Sequence, residues 1–258
     1  MGCGGTARAA ESAAPAAGSA LRWLARCARG FPPALGQVDE RLAGLWVRSG
    51  CRDAELAQRL WGSPAVAVVG ARAASAAGLA FTRELSWELA RAGVLLVSGL
   101  ARGIDAAAHE GALLGGGVTV AVLGCGLDVC YPPEHAALAA EIACQGALLS
   151  EWPAGTPPRP SYFPRRNRLI SGLSDVVVVV EGSRRSGARH TVHYALQMGR
   201  EVMAVPRDPL QPGSLLPNDL LRDGAAPVTG AADVLRVLAG IPRANASSAR
   251  REREGGAG

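Results

Sequence analysis

The sequence predicts an α/β domain in which a mostly parallel sheet carries helices on both faces. Three observations support this prediction. Apolar runs of four to six residues recur along the chain, as is typical of strands that are buried on both faces. Amphipathic stretches of helical length separate these runs, and most runs end at a glycine, a proline or a polar turn residue. Strands that alternate with helices in this way form parallel sheets covered by helices.

The first strand is predicted at residues 65–69, where an all-apolar run ends at Gly70. An amphipathic helix follows at 75–92, with Gly93 at its C-terminal end. The alternation then repeats: we expect strands at 94–97, 118–123, 147–149, 175–180 and 201–205, and helices at 104–114, 134–145, 167–173 and 188–198. A proline-rich loop precedes the helix at 167–173.

The two flanks of this region differ from it in composition. Residues 1–20, rich in Ala, Gly and Ser, and the Arg-rich tail at 241–258 are predicted to be disordered. Residues 21–62 show a short helical pattern and are expected to form a small helical module that packs on the main domain at 63–240. The expected buried residues of this module are Leu24, Leu42, Leu45, Trp46, Leu56 and Leu60.

The charge balance permits a phosphate-rich partner without requiring one. The net charge is +5, and all 27 basic residues are arginine, whose planar guanidinium binds phosphate bidentately and stacks on bases. No apolar run reaches membrane-spanning length, the N-terminus lacks a signal-peptide core, and the six cysteines lack the spacing of a zinc site. We therefore expect a cytoplasmic protein without a membrane segment, a metal or a cofactor.

Arginine follows four of the five strand ends between residues 65 and 180. Ligands of open parallel sheets bind beyond the carboxyl ends of the strands, and the loops there contain Arg72, Arg102, the run from Arg165 to Arg168, and Arg184 with Arg185. Glycines in the same loops allow close approach of a ligand, and helix N-termini favour phosphate. This edge of the sheet is therefore predicted to bind an anion.

The type of anion is indicated by what accompanies the arginines. The loop after the first strand matches neither the GxGxxG pattern of dinucleotide binding nor a phosphate-binding P-loop. Tyr162 and Phe163 beside the arginine run favour a nucleic-acid strand, with arginine on the backbone and aromatic rings on the bases, although packing of the loop would explain the two rings equally well. Ser98, His190 and His193 lack the partners of a nucleophile or a metal site, so nothing requires an enzyme.

Five segments resemble the DprA/Smf family of DNA-processing proteins. They are SGLARGIDAAAH (Ser98–His109), AVLGCGLDVCYPPEH (Ala121–His135), LLSEWPAGTPPRPSYFPRRNRLISGLS (Leu148–Ser174), VVVVEGSRRSGARHT (Val177–Thr191) and LLRDGA (Leu220–Ala225). The resemblance implies an extended Rossmann-like fold, a homodimer, and single-stranded DNA bound in a basic pocket. It also implies a binding protein rather than an enzyme, one that loads RecA recombinase onto incoming DNA in natural transformation.

The resemblance further implies roles for individual residues. Arg102 and Asp105 are expected to form an internal ion pair rather than to contact DNA, and Glu181 is expected to position its neighbours. Arg72 corresponds to the arginine of the family's Gly-Ser-Arg motif. The residues expected to contact DNA or to line its pocket are Gly70, Arg72, Ser98, Gly99, Gly126, Phe163, Arg165, Arg166, Asn167, Arg168, Ser186 and Gly187.

The chain also departs from the family pattern. Ala71 replaces the usual serine of the Gly-Ser-Arg motif, and Arg207 follows Pro206 where the family tends to have glycine, which predicts a reshaped loop before Asn218. One alternative is a nucleotide-processing enzyme of the lysine-decarboxylase-like phosphoribohydrolase group, acting at the same edge, although the PGGxGTxxE signature of that group is not found. A second alternative is a dimeric scaffold that recruits the recombinase and contacts DNA only incidentally.

Overall fold

The computed structural model describes residues 20–28, 30–39, 42–50 and 60–242 of the 258-residue chain. The strands in these ranges are β1 (Leu21–Ala25), β2 (Gly44–Arg48), β3 (Ala65–Val69), β4 (Leu95–Ser98), β5 (Thr119–Leu123), β6 (Ala147–Ser150), β7 (Val176–Val179), β8 (Glu201–Ala204) and β9 (Ala226–Pro227). They form one nine-stranded sheet in the order β1-β2-β6-β5-β4-β3-β7-β8-β9.

Seven α-helices lie in the same part of the chain. They are α1 (Ala76–Arg91), α2 (Ile104–Leu114), α3 (Ala136–Gln145), α4 (Tyr162–Gly172), α5 (Ala188–Gln197), α6 (Leu215–Arg222) and α7 (Ala231–Gly240). Two short 3₁₀ segments occur at Pro33–Gln37 and Pro133–His135. Among these described residues, no helix has both the length and the apolar character needed to cross a bilayer.

The parallel sheet predicted from the apolar runs is confirmed. Every neighbouring pair from β6 across to β9 is parallel, and the residues of β3, β4 and β5 are buried throughout. The strand order reverses at β3, because β4 lies on one side of it and β7 on the other. The connections that follow β3 and β7 therefore run to opposite faces of the sheet and leave a crevice beyond the carboxyl ends of these two strands. Ligands bind in such crevices in open α/β sheets.

The prediction of a helical module at 21–62 is wrong where the structure describes it. β1 and β2 form an antiparallel hairpin, and β2 pairs antiparallel with β6, opposite Leu148 to Ser150. The physical reason is that the outer edge of β6 offers unpaired backbone groups, which a strand can satisfy and a helix cannot. The expected buried residues Leu24, Leu42, Leu45 and Leu60 are buried and Trp46 is half-buried, whereas Leu56 lies outside the described residues.

The helices cover the sheet on both faces. Helices α4 and α5 and the 3₁₀ segment at Pro33–Gln37 pack on one face, in a core that includes Leu35, Leu169 and Val192. Helices α1, α2 and α7 pack on the other face around Leu85 and Ile104, and α3 extends that layer over β5 and β6. The N-termini of α1, α2, α4 and α5 therefore meet at the carboxyl edge of the sheet. The predictions of disorder for 1–20 and 241–258 fall outside the described residues, apart from Ala20, Ile241 and Pro242.

Candidate nucleic-acid interface

A pocket lies at the carboxyl edge of the sheet, where the connections that follow the paired strands β3 and β7 run to opposite faces. Residues after β3 and β4 form one side of it, and residues at the start of α4 and α5 form the other. Gly70 closes the turn after β3, and a Cβ atom there would lie 2.6 Å from Ile104 Cγ1, so a larger residue would displace α2. The lining residues are Val69, Gly70, Arg72, Ala101, Asp105, Phe163, Arg166, Asn167, Ile170, Gly187, Ala188 and Thr191.

The motif that contains the arginine run lies on a helix and not on a loop. The predicted helix began at residue 167, whereas α4 begins at Tyr162. Pro164 accounts for the difference, because proline is tolerated within the first turn of a helix, where its missing N–H would have no partner. Arg165, Arg166 and Arg168 consequently point in different directions around the helix, and each meets different surroundings.

Arg166 is buried and forms the floor of the pocket. Its Nη1 donates hydrogen bonds to Gly99 O at 2.6 Å and to Val122 O, and its Nε donates to Asn167 Oδ1 at 3.0 Å. Burial lowers the pKa of Arg166 to about 10, while the nearby carboxylate of Asp105 acts in the opposite direction. The guanidinium is therefore charged at neutral pH, and it lies in a low-dielectric site where its field extends further than it would in water.

Asp105 shapes the loop that faces Arg166. Its Oδ2 accepts hydrogen bonds from Gly99 N at 3.2 Å and from Ala101 N at 3.4 Å, and Leu100 between them has a positive φ of 58°. A leucine in this left-handed region is uncommon and must be held there by its surroundings. Burial raises the pKa of Asp105, and Arg166 together with the two backbone donors opposes that rise.

Arg72 provides an accessible cation at the mouth of the pocket. Its side chain is exposed, and its Cζ lies 5.3 Å from the centroid of the Phe163 ring. The Tyr131 ring packs on the other side of the mouth, with its centroid 5.6 Å from that of Phe163. The mouth thus combines an exposed guanidinium with two partly exposed aromatic rings, which are the groups that bind phosphate and stack on bases.

The loop that carries Arg72 is fixed by a buried carboxylate. Glu181 accepts hydrogen bonds from Ser75 N at 2.9 Å and from Ser75 Oγ, and it forms an ion pair with Arg207. Ser75 caps α1 by accepting a hydrogen bond from Gly78 N at 3.0 Å. The side chain of Asn218 binds the backbone of Arg207 twice: Oδ1 accepts a hydrogen bond from Arg207 N at 3.1 Å, and Nδ2 donates one to Arg207 O at 2.8 Å. These contacts hold the loop between Pro206 and Asn218, and the prediction that it is reshaped relative to the family stays a prediction.

The structure brings most of the predicted contact residues together. Gly70, Arg72, Phe163, Arg166, Asn167 and Gly187 line the pocket, and Gly99 lines its mouth. Sequence reasoning missed Tyr131, which also lines the mouth. It follows β5 in a loop without a predicted site residue other than Gly126, and the only signal for it was an aromatic residue beyond a strand end.

Five predicted residues lie elsewhere. Ser98 is buried and donates to Val68 O at 2.7 Å. Gly126 packs against Pro153 O, and Ser186 Oγ accepts a hydrogen bond from Ala188 N at the start of α5. Arg168 is buried in an ion pair with Glu151, and Arg165 points outward over the Trp152 ring.

The predicted ion pair between Arg102 and Asp105 is not formed. Arg102 is exposed and pairs with Glu134, and the positive charge that stabilises the Asp105 carboxylate belongs to Arg166 instead. The reason is the left-handed turn at Leu100, which directs residue 102 away from the buried start of α2.

Within the described ranges, no group of three or more His, Cys, Asp or Glu side chains could hold a metal ion.

Comparison with known proteins agrees with this geometry. The family model for DNA recombination-mediator protein A matches residues 23–239. The chain belongs to this family. The match to the DNA recombination-mediator protein A model begins at residue 23, and it therefore includes all but the first two residues of the β1–β2 hairpin as well as the parallel sheet.

Individual members of the family agree with this assignment. Protein Smf of Escherichia coli is 49% identical over 174 residues, which are 67% of this chain and 46% of that protein. The structure of DNA processing protein A from Streptococcus pneumoniae has a TM-score of 0.77 and 36% identity, over 84% of this chain and 74% of that one. DNA processing protein A from Helicobacter pylori, described by its single-stranded DNA binding mode, has a TM-score of 0.74 and 27% identity, over 85% and 96% of the two chains.

The chain spans about half the length of the first curated relatives that it matches. The resemblance to the DprA/Smf family and the α/β fold predicted from the sequence are confirmed by these comparisons.

Proposed function

We propose that this chain binds single-stranded DNA at the carboxyl edge of its sheet, with a backbone phosphate at Arg72 and an adjacent base against Phe163 and Tyr131. The observation that carries this proposal is the pairing of an exposed arginine with a fixed, buried one at the same pocket. Arg72 can reach a ligand directly, whereas Arg166 is held by Gly99 O and Val122 O and contributes its charge.

A single strand suits this site better than a duplex does. The rings of Phe163 and Tyr131 lie at the mouth of a pocket, where only an unpaired base can reach them. Stacking on aromatic side chains is worth about 1–3 kcal/mol per base and does not depend on the base. The single-stranded DNA binding mode ascribed to the Helicobacter pylori relative supports the same assignment.

The proposal extends to a role in recombination. The chain would act as a homodimer that presents the bound strand to RecA recombinase, as the family resemblance implies, and it would do so as a binding protein without turnover. Support for this part comes from membership of the DNA recombination-mediator family over residues 23–239. Formation of RecA filaments on a coated strand, with and without the chain, would test it separately from DNA binding.

The DNA-binding proposal is tested by fluorescence anisotropy with labelled oligo(dT) and a matched duplex over a salt series. Tighter binding of the single strand is expected, together with a loss of about tenfold or more for Arg72→Ala, because a hydrogen bond to a charged group contributes about 1.5–3 kcal/mol. The salt slope should fall by about 0.7, the value for one phosphate contact on a single strand.

Arg91→Ala is the matched control. Arg91 also lies over an aromatic ring, with its Cζ 5.1 Å from the centroid of Trp87, but it belongs to α1 on the opposite face of the sheet from α4. This variant should bind as the unmodified chain does. Equal affinity for single strand and duplex, or equal losses in the two variants, would refute the assignment of the pocket.

A further inference from the structure

A second cluster of arginines and aromatic rings lies beside the pocket. Tyr162 and Trp152 stack with their ring centroids 4.6 Å apart and an interplanar angle of 25°. The Cζ of Arg159 lies 5.7 Å from the Tyr162 centroid, and the Cζ of Arg165 lies 6.0 Å from the Trp152 centroid. We name these four residues the flank cluster. Their arrangement repeats the contact of Arg72 with Phe163 at the pocket mouth.

The flank cluster carries an excess of positive charge. The side chain of Arg165 is 61% exposed and lies 3.3 Å from Glu151 Oε1, but that carboxylate is 7% exposed and already forms the shorter ion pair with the buried Arg168. Arg168 also lies 3.4 Å from Asp39 Oδ2, so Arg165, Arg168 and the neighbouring Arg159 together face two carboxylates. Arg159 is exposed, and within the described residues it forms no ion pair.

Two other exposed arginines at the same edge, Arg102 and Arg184, pair with carboxylates, and Asp219, the partner of Arg184, also pairs with Arg222. Arg184 binds both carboxylate oxygens of Asp219, at 2.7 and 3.2 Å, and Arg102 pairs with Glu134. An incoming phosphate would have to compete with these carboxylates. Arg185 and Arg189 on the other side of the pocket are also exposed. Among the described residues at this edge, it is the arginines of the flank cluster that, like Arg72, lie over aromatic rings.

The first turn of α4 connects the pocket with the flank cluster. Phe163 faces the pocket and the preceding residue, Tyr162, faces the flank cluster; Arg166 faces the pocket and the preceding residue, Arg165, faces outward. A strand that leaves the pocket over this turn passes directly from one arginine–aromatic set to the other.

We propose that the flank cluster is a second DNA subsite, which holds the backbone of the nucleotides next to those in the pocket. This inference rests on the proposed single-stranded DNA binding, and it specifies on which side of the pocket the strand continues along the edge of the sheet. Contact is made through phosphates, because Trp152 is buried and the Tyr162 ring is already engaged by Trp152 and Arg159. The subsite is therefore independent of base sequence.

The test compares oligo(dT) of about 6 nucleotides, near the lower end of the span of about 4–16 nucleotides that one OB-fold covers, with oligo(dT) of about 20 nucleotides, beyond its upper end. On the long oligonucleotide, Arg159→Ala/Arg165→Ala should lower the salt slope by about 1.4, since each phosphate contact contributes about 0.7. The same counterion release corresponds to about a tenfold loss of affinity at about 0.15 M salt. On the short oligonucleotide, which the pocket holds alone, this variant should bind as the unmodified chain does.

Two further double variants remove the same charge at other places. Arg91→Ala/Arg236→Ala changes exposed arginines on the helices of the opposite face and should leave binding to both oligonucleotides unchanged. Arg185→Ala/Arg189→Ala removes arginines on the other side of the pocket, where a strand running in the opposite direction would pass. A loss on the long oligonucleotide with this variant, and none with Arg159→Ala/Arg165→Ala, would overturn the inference.

Failure of this inference is distinguishable from failure of the proposed function. If only the subsite is wrong, the unmodified chain prefers the single strand, Arg72→Ala weakens binding at both lengths, and Arg159→Ala/Arg165→Ala matches the unmodified chain at both lengths. If the DNA-binding function itself is wrong, the unmodified chain shows no preference for the single strand at either length.

Discussion

The ion pair between Arg207 and Glu181 offers a quantitative test of how the loop at the pocket is held. The side chains are 12% and 2% exposed, respectively, so neither charge is well solvated. Removing one partner of a buried pair costs about 3–5 kcal/mol, because the remaining charge loses its compensation. Arg207→Ala should therefore lower the free energy of unfolding by about 3 kcal/mol, at the lower end because the Ser75 N–H and Oγ–H still bind the carboxylate.

A double-mutant cycle separates the ion pair from the packing of the arginine. Glu181→Gln keeps an acceptor for Ser75 N and removes the charge, so the loss from Arg207→Ala should be much smaller in that background. We expect a coupling energy of at least about 1.5 kcal/mol, within the range of about 0.5–3 kcal/mol seen for residues in contact. Urea unfolding of the four proteins measures it, provided that their m-values agree.

Arg236→Ala serves as the control for the cycle. Arg236 is 75% exposed and lies 3.4 Å from Asp233 three residues earlier on its helix, and exposed pairs of this kind contribute about 0–1 kcal/mol. A cost below about 1 kcal/mol for Arg207→Ala, or a coupling energy near zero, would refute the argument that this arginine compensates the buried carboxylate.

Two further predictions concern buried groups near the pocket. Burial lowers the pKa of His109 to about 3, below its unfolded value of about 6.5, so the unfolded chain binds more protons and stability falls as the pH drops from about 6.5 towards 3. The substitution His109→Asn keeps a donor for Thr119 Oγ1 and removes the titrating group. Between pH 7 and pH 5, the variant should therefore lose about 2 kcal/mol less unfolding free energy than the unmodified chain does. Identical pH profiles of the two proteins would contradict this. Arg166→Lys should cost at least about 2 kcal/mol in urea unfolding, because one ammonium cannot reproduce the fork that reaches Gly99 O, Val122 O and Asn167 Oδ1, and a cost below about 0.5 kcal/mol would show that the fork is not required.

The central fold was predictable because it depends on local pattern. The strands β3 to β8 are buried on both faces, so each appears in the sequence as a continuous apolar run, which is typical of a strand in a parallel sheet. The β1–β2 hairpin was not predictable by the same means, since its conformation depends on the free edge of β6, about 100 residues away in sequence. The helical module at 21–62 was predicted from the local spacing of apolar residues, and that spacing contains no information on a backbone partner distant in sequence.

The position of the site was predictable from the sequence, but which of its arginines are accessible and which are buried was not. Arginines after successive strand ends had to meet at the carboxyl edge, whatever their side chains contact. Which of them are accessible depends on the start of α4 at Tyr162, since a shift of one residue rotates a helical side chain by about 100°. The partnership of Asp105 with Arg166 rather than Arg102 likewise depends on a left-handed turn at Leu100, for which the leucine itself is no signal.

The arginine-rich motif therefore contains fewer accessible guanidinium groups than its sequence suggests. Of Arg165, Arg166 and Arg168, the first is exposed and the other two are buried, where they bind backbone carbonyls or the carboxylate of Glu151. Their bonds hold α4 against the ends of β4, β5 and β6, and this fixes the helix backbone that carries Phe163 and Arg165 before any ligand arrives. A ligand would then bind to a preorganised backbone, which lowers the entropy cost of binding. For this reason, the buried arginines should affect stability first, whereas the salt dependence of binding should report Arg72 and the exposed arginines of the flank cluster.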